Sequence, residues 1–139
     1  FPGLAVASFP MKTLLRVEGE NVLYGHIRDQ GMAMITGCGH GGVLNLLNYA
    51  RQTFQGGDRI HALYGGLHIS PLEDWDESRD QVVAALNQYG IAKLACNHCT
   101  GQKAVEKMLE TGLPVVRGTA RNGSRTGLFL GNGDVLELG

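Results

Sequence analysis

The run Met32-Ala33-Met34-Ile35-Thr36-Gly37-Cys38-Gly39-His40-Gly41-Gly42-Val43-Leu44 decides how this chain is read. Met32–Thr36 is a short apolar stretch that stops at a glycine, which marks a buried strand. Val43, Leu44, Leu47, Ala50 and Phe54 then recur at helical spacing, and Gly56-Gly57 stops that helix. Between strand and helix stand one cysteine, one histidine and four glycines. The same order appears twice more. Ile60–Tyr64 reads as a strand that closes on Gly65-Gly66-Leu67-His68. A loop with Pro71 leads to a helix over roughly Glu73–Tyr89, with Val82, Val83, Leu86 and Tyr89 on its apolar face and Gly90 at its end. Ile91–Ala95 is a third strand, and it runs into Cys96-Asn97-His98-Cys99-Thr100-Gly101. A helix is predicted over Thr100–Glu110, with Thr100 as its N-cap, and Gly112 and Pro114 end it.

Working outward, Leu14–Val17 and Asn21–Tyr24 flank Glu18-Gly19-Glu20 and read as a hairpin. Val115–Val116, Leu128–Leu130 and Val135–Leu138 read as short strands, the last two joined by Gly131-Asn132-Gly133. Strands alternating with helices predict an α/β layered architecture. No repeat, linker or low-complexity stretch divides the chain, so residues 1–139 are expected to form a single domain.

Composition bounds the function. Of 139 residues, 43% are hydrophobic, enough for a core. The net charge of −1 gives no electrostatic argument for nucleic acid or an anionic membrane. Phe1–Pro10 is apolar but lacks a basic flank and is too short to span a bilayer, so a cytoplasmic, soluble protein is expected. The cysteines are Cys38, Cys96 and Cys99, an odd number that argues against a disulfide framework. Glycine is the outlier at 21 residues, clustered at strand ends where backbone must approach something closely.

Three strand ends therefore each carry one histidine: His40, His68 and His98. In α/β sheets, sites gather outside the carboxyl ends of strands. Imidazole is the commonest metal ligand, so His40, His68 and His98 are the candidate metal ligands. Cys38 stands two residues before His40, and Cys96 two before His98. Extended backbone would point each pair to one side, which keeps a thiolate-imidazole site open as well. Cys96-x-x-Cys99 has no second matching pair, so a four-cysteine zinc site is not expected, while a redox pair at a helix start stays an alternative. His61 opens a strand and reads as structural, and His26 is a reserve candidate. The helix starts after Gly39 and at Thr100-Gly101 offer free N–H groups to an anion, which makes Thr100 and Gly101 the candidate substrate-binding residues.

The strings Thr36–Gly42, Gly65–His68 and His98–Ala104 resemble the C-terminal motifs of metal-dependent hydrolases of the metallo-β-lactamase fold. They are most similar to the dihydropterin-ribofuranosyl-aminobenzene-phosphate synthase-like branch, over about Asp29–Ala104. The resemblance implies an αββα sandwich with a mixed sheet and flanking helices, and a metal at one sheet edge. It carries over His40, His68 and His98 as ligands, with Cys38 second. It implies Zn, or another divalent metal such as Mn or Fe, and a small-molecule substrate that bears a phosphate.

The departure is large. Such hydrolases carry a His-x-His-x-Asp-His motif in their N-terminal half, and no such string exists here. The family's general base is an aspartate of that motif, so no catalytic residue is assigned. Together with a first residue of Phe, this predicts the C-terminal half of a sandwich. It would be a fragment, one subunit of a split or self-complementing enzyme, or a degenerate protein with a non-catalytic metal-binding or assembly role. Half a sandwich exposes an apolar face, so a homo-oligomer or association with a missing N-terminal half is expected.

Overall fold

The computed structural model describes residues 2–12 and 18–139. Five strands form one sheet in chain order: β1 (Leu4–Pro10), β2 (Gly19–Ile27), β3 (Gly31–Thr36), β4 (Ile60–Gly65) and β5 (Lys93–Cys96). β1, β2 and β3 are antiparallel neighbours, whereas β3, β4 and β5 run parallel. The parallel joins need crossovers, and α1 (Val43–Thr53) and α2 (Glu77–Asn87) provide them. Right-handed crossovers that keep adding strands in one direction lay their helices on one face of the sheet. α1 packs on α2, and α2 on α3 (Gln102–Glu110).

The core fills the space between this helical layer and the sheet. Val22, Tyr24, Met34, Leu63 and Leu94 come from the strands, and Leu46, Leu47, Val83, Leu86, Val105 and Met108 from the helices. All are at most 1% exposed. Tyr24 extends across the layer, where its hydroxyl donates to the Leu46 carbonyl at 2.9 Å. Its ring meets Phe54 at 5.1 Å between centroids.

The other face of the sheet is apolar too. Val6, Leu23, Ile35, Tyr64 and Ala95 lie in register across all five strands. Val6 is 66% exposed and Leu4 on the same strand 53%. The C-terminal segment crosses part of this face: Lys93 donates to the Glu137 carbonyl at 2.5 Å. The mixed sheet with flanking helices agrees with the expected half sandwich.

Several predicted boundaries move. The expected strand Leu14–Val17 lies outside the described residues, and the partner of β2 is instead Leu4–Pro10. Helix α2 begins at Glu77, where the Asp76 side chain accepts from the Arg79 N–H, and not at Glu73. Helix α3 begins at Gln102, because His98–Thr100 turns as a 3-10 helix first. Val115 makes one parallel bridge to Leu94. The expected terminal hairpin does not form. In its place Asp134 closes a loop, accepting from Gly131 N at 2.8 Å and from Thr119 N at 3.1 Å. Such local side-chain bonds compete with a ladder.

Leu63 lies on β4, an interior strand of the sheet, and is wholly buried. Leu63→Ala should lower the unfolding free energy by about 2–5 kcal/mol, from lost burial and the cavity left behind. Urea denaturation measures this, and a loss well below that range would contradict the packing described.

Candidate metal centre

Strands β3, β4 and β5 end together. Thr36 pairs with Gly65, and Gly65 with Cys96. The loops that follow leave one sheet edge side by side, and glycine lets them touch. The Gly66 N–H donates to Gly37 O at 3.1 Å. A Cβ on Gly66 would stand 2.5 Å from that oxygen and 2.9 Å from the Cys99 sulfur. Gly39, at φ 68°, leaves only 2.8 Å between such an atom and Gly66 O. A side chain at either position would push the loops apart.

Thr100 locks the third loop to the second. It is fully buried. Its hydroxyl accepts from Leu67 N at 3.0 Å and donates to Asn97 O at 2.9 Å. Its carbonyl accepts from Ser70 N at 3.0 Å. The Thr100 hydroxyl is thus committed to backbone groups. Gly101, at φ 86°, is the N-cap of α3, and a Cβ there would meet Ser70 O at 2.0 Å. The first N–H groups of α3 are already taken. Gln102 N and Lys103 N donate to the two carboxylate oxygens of Glu73, at 2.7 and 2.8 Å.

Glu20 was not singled out from the sequence, yet it holds the first loop. It stands near the start of antiparallel β2, at the same sheet edge, and is 8% exposed. Its carboxylate accepts from Gly39 N at 2.5 Å, Cys38 N at 3.1 Å and the Thr36 hydroxyl at 3.0 Å. Burial by itself would raise its pKa. The N–H groups of Gly39, Cys38 and Gly41 and the Thr36 hydroxyl together outweigh that and hold it below its ordinary value. The sequence did carry a signal: Glu20 shares the alternation of Val22 and Tyr24, so an acid falls on the buried face.

The donors fall into two groups. The His40 and His68 rings lie 4.6 Å apart between centroids, tilted by 56°. Burial, then the neighbouring His40 imidazole, push the His68 pKa down; Glu20 pulls it up and His98 pushes it further down. His98 is close to a thiol. Its Nδ1 lies 3.2 Å from Cys38 Sγ. The Cys99 thiol donates to Cys38 O at 2.9 Å. The ligand atoms of Cys38, His98 and Cys99 all lie within 4.8 Å of one another, the one such group of three among the described residues. Both His68 and His98 have left-handed backbone, at φ 48° and 49°. That is uncommon for residues other than glycine and clusters where surrounding structure enforces it.

The cysteine and histidine spacings resolve differently from the extended-backbone expectation. Gly39 breaks the extension between Cys38 and His40, and His98 itself breaks it after Cys96. Cys96 turns into the core, fully buried, with its sulfur 3.9 Å from Met108 Sδ. Burial pushes its thiol up to about 12. Cys99 faces Cys38 instead, so the two cysteines of Cys96-x-x-Cys99 point to different places. His26 is exposed and pairs with Met32, at the opposite end of β3 from the site, and His61 is buried near the start of β4.

Imidazoles and thiols gathered at one edge form a donor set suited to a borderline-soft divalent ion such as zinc. Beside His68 a cavity of about 490 Å³ opens between the starts of α1 and α2, with Asn45 and Arg79 on its walls.

The sheet and its helical layer together have the fold of a metal-dependent hydrolase of the beta-lactamase superfamily, over half of that hydrolase's length. A crystal structure of one such hydrolase matches with a TM-score of 0.67 at 25% identity, covering 83% of this chain and 50% of that one. The chain is also similar to the 7,8-dihydropterin-6-methyl-4-(beta-D-ribofuranosyl)-aminobenzene-5'-phosphate synthase of Methanocaldococcus jannaschii. That likeness is 27% identity over 84 residues, 60% of this chain and 28% of the synthase. The chain thus spans about half the length of the solved hydrolase. No protein-family model matches it. No helix among the described residues is long and apolar enough to cross a membrane.

The Glu20 clasp has a signed pH dependence. Its folded-state pKa lies below the ordinary 4.5, so its contribution to stability is present above that value. The contribution is lost as pH falls through the lower folded-state value. Glu20→Gln should be less stable at neutral pH and show a shallower loss in acid. Thermal midpoints of both proteins between pH 7 and pH 3 check this, and parallel acid slopes would contradict it.

Proposed function

We propose that this chain is the metal-holding C-terminal half of a metal-dependent hydrolase, acting on a small molecule that bears a phosphate. The observation that carries the reading is the convergence of Cys38, His98 and Cys99, with the His40–His68 pair beside them, at the ends of three parallel strands. The likeness to the solved hydrolase supports the reaction class, and the name of the synthase relative supports a phosphate-bearing molecule.

His98, Cys38 and Cys99 would hold the ion from one side, with His40 and His68 as the flanking donors. A bound divalent metal supplies a Lewis acid for a carbonyl or phosphoryl oxygen and a bound water of lowered pKa. The chain's own residues supply position. Glu20 fixes the backbone that carries Cys38, and Thr100 fixes the backbone that carries His98. The depressed pKa of His68 favours a neutral imidazole, the form that can donate a lone pair.

The gathered donors include no aspartate or glutamate, so no general base is assigned among them. The row Val6, Leu23, Ile35 and Tyr64 offers an apolar face on which the other half of the sandwich, or a second copy of this chain, would pack. The same lack of a carboxylate favours a second reading, a non-catalytic metal-binding or assembly module.

Metal analysis of the purified chain, run with native mass spectrometry, tests the proposal. About one divalent metal per chain is expected, in an assembly larger than a monomer. His98→Ala and Cys38→Ser should each lower metal content. Chelator-sensitive hydrolysis of a phosphoester would set the enzyme reading above the assembly reading. A metal-free monomer, or unchanged metal content in both variants, would overturn the proposal.

A further inference from the structure

On the far side of His98 the C-terminal segment builds a second wall. Residues 118–134 fold back on themselves around Asp134, which accepts from Thr119 N, the Thr119 hydroxyl and Gly131 N. Gly118 N donates to Gly127 O at 3.0 Å, and Asn122 Nδ2 to Asn132 O at 3.0 Å. The turn is tightly closed: a Cβ on Gly118 would meet Phe129 O at 1.8 Å, and one on Gly131 would meet Ser124 Oγ at 1.9 Å. Between this loop and the start of α3 lies a cavity of about 420 Å³, and His98 is on its wall.

The charges around that cavity are uneven. Glu73 stands on one side, but both its oxygens are engaged by the N–H groups of α3. Arg125 stands on the loop side, exposed, and makes no ion pair among the described residues. The hydroxyl residue Thr126 neighbours it, and Phe129 adds an apolar wall. A guanidinium presents a planar fork of donors that fits phosphate and carboxylate oxygens in pairs. The start of α3, where an anion was expected from the sequence, is filled by Glu73, which leaves Arg125 as the cation that faces the cavity beside His98.

We propose that this cavity holds the anionic group of the substrate, with Arg125 gripping a phosphoryl or carboxylate oxyanion and Phe129 lying against the carbon skeleton. The proposal deepens the hydrolase reading and rests on it. It assigns residues 118–134 as a recognition loop that is pre-shaped by Asp134. The class of ligand is an oxyanion on a compact organic molecule, held so that its remainder reaches His98.

The test is titration of the full chain with inorganic phosphate, and separately with acetate, at about 0.15 M NaCl, where long-range attraction is screened. Backbone amide NMR shifts would report the site. Shifts are expected at Ser124–Thr126 and at His98. Arg125→Ala should weaken binding about tenfold or more, the loss of a charge-assisted contact. Arg125→Lys should retain part of it, and Arg117→Ala, outside the cavity, should leave it unchanged. Phosphate binding that exceeds acetate binding selects a phosphoryl group, and the reverse selects a carboxylate. Equal affinity in Arg125→Ala and the unaltered chain, or shifts confined to other regions, would overturn the proposal. Because the titration uses metal-free protein, its result separates from the metal analysis. Arg125-dependent binding without metal uptake would sink the hydrolase reading alone, and metal uptake without Arg125 dependence would sink this one alone.

Discussion

Gly65 lies where a Cβ would stand 1.9 Å from the Thr36 carbonyl oxygen, and the site depends on that closeness. It ends β4 in register with Thr36 of β3 and Cys96 of β5. With no side chain at this position or at Gly66, the backbone of the second loop lies directly on the first. Cys99 can then reach the Cys38 carbonyl, and His98 the Cys38 sulfur. A side chain in that seam would open a gap between donors that belong to loops far apart in sequence. Van der Waals exclusion between backbones, relieved by glycine, is what makes one cluster out of three separate strand ends.

Around that seam two side chains work from below. The Glu20 carboxylate gathers N–H groups that a tight loop would otherwise leave unpaired, and the Thr100 hydroxyl does the same for Leu67. Buried polar groups of this kind cost little when satisfied and a great deal when one partner is removed. They allow two histidines to hold left-handed backbone at the sheet edge. The helical layer contributes rigidity behind them, since α1 and α3 both start directly after a donor loop.

The layered order of strands and helices was legible because apolar runs, helical spacing and glycine stops all agreed. β3, α1, β4 and β5 lie close to where the pattern put them. β1 was not legible. It is an edge strand with mostly exposed side chains, so its alternation is weak. The terminal loop was misread as a hairpin because Gly131-Asn132-Gly133 is a turn signal in either structure. What differs is Asp134, whose carboxylate ties the turn at Gly131 back to Thr119, fifteen residues before Asp134. The gathering of His40, His68 and His98 at one edge follows from reading strand ends, but their division into a His40–His68 pair and a Cys38–His98–Cys99 group does not.

The sequence by itself determined which residue types arrive at the carboxyl edge of the sheet, since apolar periodicity and glycine positions are local properties of the chain. Tertiary structure alone decided which donors face each other. Whether Cys96 or Cys99 meets Cys38 turns on one left-handed residue, His98, and on loop contacts across more than sixty residues of sequence. It likewise decided that Glu73 fills the start of α3, because a carboxylate near an unsatisfied helix terminus is drawn to it wherever the fold brings the two together.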